Sequence, residues 1–200
     1  MTTVKSLLTP GKLVVAPGIF DGISARLAEQ LGFDVLYMTG YGAVGSALGL
    51  PDAGLASYTD MVGRVKMLTE TVSAPLVADG DTGYGGLLNV AHTVKGYERA
   101  GAAAIQIEDQ EYPKKCGHTP NKRVIGIDDW GQKIKVAAES RDSDDFLIVA
   151  RTDARAVNGL DDALRRSEVA ANAGADIIFV EAPESEEEMR QICAAIDAPK

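Results

Sequence analysis

Three segments of the chain end alike. Gln30-Leu31-Gly32-Phe33-Asp34, Arg99-Ala100-Gly101-Ala102-Ala103 and Asn172-Ala173-Gly174-Ala175-Asp176 each close an amphipathic stretch with a glycine and open at once onto an apolar run. A glycine just past the last helical residue takes the left-handed conformation that ends a helix without steric cost. Each segment therefore reads as a helix stop followed by a strand start. The alternation extends along the chain. Strands are expected at residues 13–16, 35–38, 75–78, 104–108, 146–151 and 176–181, and helices at about 21–31, 57–72, 87–100, 128–140, 160–173 and 185–196. Between them lie a Gly-rich loop over 39–55 and a second loop over 110–124. The strands are apolar throughout, as strands buried on both faces should be. Strict alternation of strand and helix implies a parallel sheet.

Two layouts fit such a pattern, a doubly wound open sheet and a closed eight-stranded barrel. The polar residues favour the barrel. Nearly every strand ends in a reactive group: Thr39, Asp79 with Asp81, Glu108 with Asp109, Arg151 with Asp153, and Glu181. Groups spread over many strand ends mark the top face of a barrel, whereas an open sheet concentrates its site at one switch point. No GxGxxG follows the first strand, which disfavours a dinucleotide fold. The expected class is α/β, a (β/α)8 barrel of the TIM type. Six βα units are counted in 200 residues, against about 250 residues for a whole barrel. Residues 1–200 are accordingly expected to form one barrel domain cut before strands 7 and 8.

The composition excludes other classes. Hydrophobic residues make up 46% and charged residues 24%, an ordinary globular balance. A net charge of −9 lacks the basic footprint that nucleic acid requires. No stretch approaches the roughly 20 apolar residues of a membrane span, and residues 1–11 have no signal-peptide core. The two cysteines, Cys116 and Cys193, lack metal-type spacing, and a reducing, cytoplasmic setting is expected.

Three constellations carry chemistry. Asp79-Gly80-Asp81-Thr82-Gly83-Tyr84-Gly85-Gly86 places two carboxylates just beyond a strand end. Such a pair can reach one cation, and hard oxygen ligands suit Mg²⁺ or Mn²⁺. A polar turn with local hydrogen bonds would look the same in isolation. Glu108 and Asp109 on the next strand, with Asp52 from the Gly-rich loop, favour the cation, because converging carboxylates repel one another without one. The second is Lys114-Lys115-Cys116-Gly117-His118. Cations beside a thiol favour the thiolate, so Cys116 could move a proton near neutral pH. The third is Arg151, Asp153 and Arg155. A guanidinium at a strand end can clamp a carboxylate, or simply pair with Glu181 or Glu108. Cys193, His92 and Trp130 read as structural.

Taken together, these motifs resemble the isocitrate lyase/phosphoenolpyruvate mutase superfamily. The resemblance covers the whole chain in order. It rests on the Asp79–Gly85 segment, Glu108-Asp109-Gln110, Lys114-Lys115-Cys116-Gly117-His118, Gly49-Leu50-Pro51-Asp52 and Ala150-Arg151-Thr152-Asp153-Ala154. It implies a homotetrameric enzyme acting on a small carboxylate. Asp81 would bind Mg²⁺ (or Mn²⁺) directly, with Asp79, Glu108 and Asp52 acting through water. Tyr37, Thr39, Gly40, Tyr41, Gly117, Arg151 and Glu181 would bind substrate. The loop from Lys114 to Asn121 would close as a lid carrying the catalytic Cys116, Lys114 and His118. The cysteine setting resembles the lyase branch, whose reaction splits a 2-hydroxy acid into a 2-oxo acid and a second acid. Thr39-Gly40-Tyr41-Gly42 departs from the Ser-Gly-Gly-Gly of 2-methylisocitrate lyases, and a tyrosine there implies a smaller diacid such as 2,3-dimethylmalate or oxaloacetate. An oxaloacetate hydrolase or decarboxylase, a phosphonomutase on the same metal site and a non-catalytic metabolite-binding relic are the alternatives.

Overall fold

The computed structural model describes residues 3–200. Its elements run, in order, α1 (Val4–Leu7), β1 (Gly18–Ile19), α2 (Gly22–Gln30), β2 (Leu36–Met38), α3 (Gly40–Leu48), α4 (Tyr58–Thr71), β3 (Leu76–Asp79), α5 (Leu87–Arg99), β4 (Ala104–Glu108), α6 (Ile127–Ser140), β5 (Leu147–Thr152), α7 (Ala154–Asn158), α8 (Leu160–Asn172), β6 (Ile177–Val180) and α9 (Glu186–Ala195). The six strands are all parallel and lie in the order β1-β2-β3-β4-β5-β6. A doubly wound sheet reverses direction at a switch point. This one never does, so its progression is that of a (β/α) barrel. Gly32, Gly101 and Gly174 all take positive φ, of 84°, 91° and 105°, at the three repeated helix stops.

Alternation along the strands separates two layers. Leu36, Met38, Leu76, Ala78, Ile105, Ile107, Ile148, Ala150, Ile178 and Val180 face the helices and form the main core with residues such as Trp130, Ile134 and Val94. The alternate positions face the barrel interior. At its base Val77, Ala104, Leu147 and Val149 pack with Val4 and Leu7 of α1, which plugs that end. Higher up, Tyr37, Thr39, Asp79, Gln106, Glu108, Arg151, Phe179 and Glu181 line an open cavity of about 1330 Å³. The period of two thus delivers one inward polar residue at the end of each strand from β2 to β6.

Three expectations about elements need correction. Residues 13–16 form no strand. Only Gly18 and Ile19 pair with β2, and Leu13, Val14 and Ala16 instead line the cavity, with Val14 packed against the cluster at its base. The Gly-rich segment 39–55 is not all loop, since α3 occupies Gly40–Leu48. Its glycines allow close approach, not a turn. A Cβ on Gly40 would lie 2.6 Å from Asp79 Oδ2, and one on Gly42 would lie 2.8 Å from Phe20 Cβ. Thr39 caps the helix by accepting from the Gly42 N–H at 2.9 Å, and Gly49 ends it at φ 64°. Finally, a short helix, α7, precedes α8. Among the described residues, no helix is long and apolar enough to cross a membrane.

Candidate active site

The turn after β3 is held in a strained shape by its neighbours. Asp81 adopts φ 49°, unusual for a residue with a side chain. Four backbone contacts impose it: Gly80 N–H donates to Gln106 O (2.8 Å), Glu108 N–H to Asp81 O (2.8 Å), Gly83 N–H to Gly80 O (2.9 Å), and Asp81 N–H to Asp79 Oδ1 (3.1 Å). From α5, Tyr97 donates its hydroxyl to Asp79 O at 3.2 Å and accepts one from Tyr84 at 2.9 Å. Both Asp79 oxygens receive a backbone N–H, the second from Gly40 at 3.1 Å.

Asp81 and Glu108 differ from Asp79. Asp81 Oδ1 and Glu108 Oε1 are buried and make no hydrogen bond among the described residues. Lys114 reaches this cluster, with its ammonium against Asp52 and 2.5 Å from Asp81 Oδ1. Burial pushes the Asp81 carboxyl up to about 7 despite the ammonium. Burial also lifts Glu108 well above the usual carboxylate range, with Arg151 opposing. Burial works against the charge on Lys114, yet Asp81, Asp79, Glu108 and Asp52 outweigh it and hold the ammonium charged. Tyr37, below, is kept neutral by burial and by the nearby Asp79 charge.

These residues fit a hard divalent cation. Glu108 Oε1 is buried without a donor, Asp81 Oδ1 is met only by the Lys114 ammonium, and the ligand chemistry is all oxygen. No group of three or more acidic, histidine or cysteine side chains forms a ready cage among the described residues.

Opposite the acids stands Arg151. Its Nε and Nη2 donate to the two oxygens of Asp153 at 3.0 and 3.1 Å. Glu108 and Glu181 each lie 3.5 Å away. Burial opposes its charge, but Glu108, Asp153 and Glu181 hold it firmly cationic. One guanidinium edge faces the cavity, ready for a ligand carboxylate. A second donor comes from α3. Gly40 N–H is taken by Asp79 and Gly42 N–H by Thr39, whereas the Tyr41 N–H has no acceptor among the described residues. It points from a helix N-terminus, where anions bind well.

The loop from Lys114 to Asn121 covers this cavity, and Cys116, Gly117 and His118 line it. Cys116 N–H donates to Asp52 O at 3.2 Å. Gly117 lies so close to Arg151 and Glu181 that a Cβ would strike both. Asp52, Asp79, Glu108, Lys114, Cys116, Gly117, His118, Arg151 and Glu181 all line this one cavity, and Asp81 is joined to it through Lys114. Tyr41 sits at the rim, 67% exposed.

Three local expectations change. The lysines do not flank the thiol: Lys114 is engaged with Asp52 and Asp81, and Lys115 with the carbonyls of Asn121 (3.0 Å) and Pro120 (3.5 Å). Asp109 does not join the acidic cluster, because it occupies an outward position of β4. There it accepts from Thr152 Oγ1 (2.7 Å), Asp153 N–H (2.8 Å) and Arg166 Nη1 (3.2 Å). Arg155 turns away to Glu184 and Glu188. Sequence reasoning missed Lys122, Gln106, Tyr84 and Tyr97. Gln106 was findable, since it shares the inward phase of β4 with Glu108. Lys122 carries no local signal, because a lysine in a polar loop is normally solvated.

The phosphoenolpyruvate phosphomutase family matches residues 4–200. A 2,3-dimethylmalate lyase of Eubacterium barkeri is 49% identical over 189 residues, covering 94% of this chain and 65% of that protein. A 2-methylisocitrate lyase of Aeropyrum pernix is 45% identical over 196 residues, covering 98% and 63%. The chain thus spans just under two thirds of the length of these relatives, which are TIM-barrel enzymes. Among solved structures, oxaloacetate acetylhydrolase with the inhibitor 3,3-difluorooxalacetate superposes with TM-score 0.92 and 39% identity, over 96% of this chain and 66% of that one. Phosphonopyruvate hydrolase with oxalate and Mg²⁺ gives TM-score 0.87 and 31% identity, over 98% and 68%.

Proposed function

The chain belongs to the lyase branch of the phosphoenolpyruvate mutase/isocitrate lyase superfamily, and on that footing we propose that it is a Mg²⁺-dependent carbon–carbon lyase cleaving a 2-hydroxy di- or tricarboxylate of the 2,3-dimethylmalate or 2-methylisocitrate type. The observation that carries this is the buried, donor-less Oε1 of Glu108, facing Arg151 in one cavity beneath the Cys116 loop, with buried Asp81 joined to the site through Lys114. Asp81 would hold the cation directly, and Asp79, Glu108 and Asp52 through water. When bound, Mg²⁺ supplies Lewis acidity to the 2-oxygen and its neighbouring carboxylate.

The rest falls to the protein. Arg151, fixed by Asp153, takes the carboxylate of the part that leaves as a 2-oxo acid, aided by Tyr41 N–H. The 2-hydroxyl gives its proton to the unpaired Glu108 carboxylate, directly or through a water, as the bond between C2 and C3 breaks. The electron pair goes to C3, next to the second carboxylate, and the Cys116 thiol protonates that carbon. His118 and Lys114 anchor charge beside it, and the covering loop excludes water. The Tyr41 rim favours a smaller diacid. The homotetramer expected from the resemblance and the cytoplasmic setting expected from the cysteines belong to the same proposal.

A second reading is hydrolysis of oxaloacetate, since oxaloacetate acetylhydrolase superposes as well as 2,3-dimethylmalate lyase does, each with TM-score 0.92 and 39% identity. A panel of 2-hydroxy and 2-oxo diacids with Mg²⁺, read out as pyruvate, glyoxylate and oxalate, separates the two. Release of pyruvate or glyoxylate from a 2-hydroxy acid supports the lyase, oxalate from oxaloacetate supports the hydrolase, and pyruvate from oxaloacetate alone reports decarboxylation. Cys116→Ser is expected to lower kcat on the selected diacid at least about a hundredfold with little change in KM. Full activity of that variant would reject the thiol acid. Turnover of 2-methylisocitrate far above that of dimethylmalate would reject the small pocket, and no Mg²⁺-dependent product from any diacid would leave a non-catalytic binder.

A further inference from the structure

The loop over the cavity stands on two feet that are fastened together. Gln110 and Val124 form an antiparallel bridge, Glu111 N–H donates to Arg123 O at 2.9 Å, and Ile125 N–H donates to Asp109 O at 2.9 Å. The Gln110 side chain also clamps Lys115 from both sides, at 3.0 and 2.9 Å. Between the feet the chain crosses the cavity mouth. Lys122 sits on the second foot, beside the fastened residues, and its side chain is only 2% exposed. Its ammonium donates 2.6 Å to Gly117 O, on the crossing segment, and 2.6 Å to Asp153 Oδ1, on the barrel. The same Asp153 oxygen receives Arg151 Nη2.

A buried ammonium is tolerable only while its acceptors stay in place. Lifting Gly117 would remove one of the two acceptors of Lys122. We propose that Lys122 is a positioning residue that latches the covering loop shut at Gly117 and ties the closed state to the carboxylate orienting Arg151. It touches neither substrate nor metal in this role. Asp153 is well suited to be the fixed end. Its backbone N–H is bonded to Asp109, and its side chain forks across Arg151. The latch goes beyond the lyase reading and does not rest on it.

The test uses the reactivity of Cys116 toward iodoacetamide in the full-length protein. Cys193→Ser leaves Cys116 as the only thiol in residues 1–200, and mass spectrometry identifies the alkylated residue. No substrate, metal or turnover enters, so the result stands apart from the fate of the lyase proposal. Lys122→Met is expected to raise the alkylation rate about tenfold, and Lys122→Arg to stay within about twofold of the parent. Loss of a nearby cation alone would lower thiolate reactivity, so a rise reports opening of the loop. A parental rate in Lys122→Met overturns the latch. So does a rise matched by equal loss of protease resistance across the barrel, or an Arg variant as reactive as the Met variant. Should Lys122→Met fail to fold, Lys122→Gln removes the charge while keeping a donor, and the same rates decide.

Discussion

Glu108 and Asp109 are neighbours in sequence, both carboxylates are almost wholly buried, and they face opposite sides of β4. Asp109, on the helix side, receives three donors, from Thr152, Asp153 and Arg166. Glu108, on the cavity side, has one oxygen with no donor and its nearest guanidinium nitrogen 3.5 Å away. Burial raises both carboxyls, Glu108 well above its usual range and Asp109 less, because hydrogen bonds from Asp153 and Thr152 offset its burial. One peptide step thus separates a carboxylate completed by the protein from one left incomplete. The first holds strand ends in register. The second is left open on the cavity side, where the proposed cation would complete it.

The two residues should therefore fail in opposite ways. Glu108→Gln is expected to lower kcat/KM at least about a thousandfold on the diacid selected by the panel. It should leave metal-free stability unchanged or slightly higher, since a buried, poorly solvated charge is removed. Steady-state kinetics and thermal unfolding in EDTA measure the two effects together. Loss of stability equal to that of an Asp109 variant would show that Glu108 is structural after all. Asp109→Asn comes next in size. Its amide would point a donor at Thr152 or Arg166 and leave that guanidinium without its carboxylate, at a cost of about 2–3 kcal/mol. The folded fraction should keep its specific activity. Urea unfolding with activity normalised to folded protein checks this, and a large fall in specific activity would erase the distinction.

The same pair shows how far the sequence can be read. The glycine helix stops and apolar runs announce the alternating fold, because backbone conformation and burial act locally. Asp79, Asp81, Glu108, Arg151 and Glu181 were legible as strand-end residues of one face. Asp109 was misplaced because side-chain phase was ignored: a residue one step from an inward position must point outward. Residues 39–55 looked like a loop because glycine count was taken as turn propensity, when Gly40 is demanded by the Asp79 carboxylate two strands' worth of chain away. Lys122 was invisible for the same reason. Its burial depends on Gly117 and Asp153 meeting, and no window of sequence contains that encounter.

The smallest expected effect lies behind Asp109, in the residue that secures its arginine. Asp162 accepts from Arg166 Nε at 2.8 Å, from Asn158 Nδ2 at 2.7 Å, and from Arg165. Burial alone would raise its pKa, but these donors outweigh it and hold the carboxyl at about 2. A folded pKa below the unfolded value means that the ionised group stabilises the fold above about pH 4, and that this share is lost as pH falls toward 2. Asp162→Asn should thus cost about 1 kcal/mol at pH 7, discounted for its partial exposure. The gap from the parent should close steadily between pH 4 and 2. Urea unfolding across that range measures it, and a gap independent of pH would mean that shape, not charge, is what Asp162 supplies. Combined with Asp109→Asn, the cost should fall short of the sum, because both variants release the same Arg166. Combined with Glu108→Gln on the other face of β4, it should simply add.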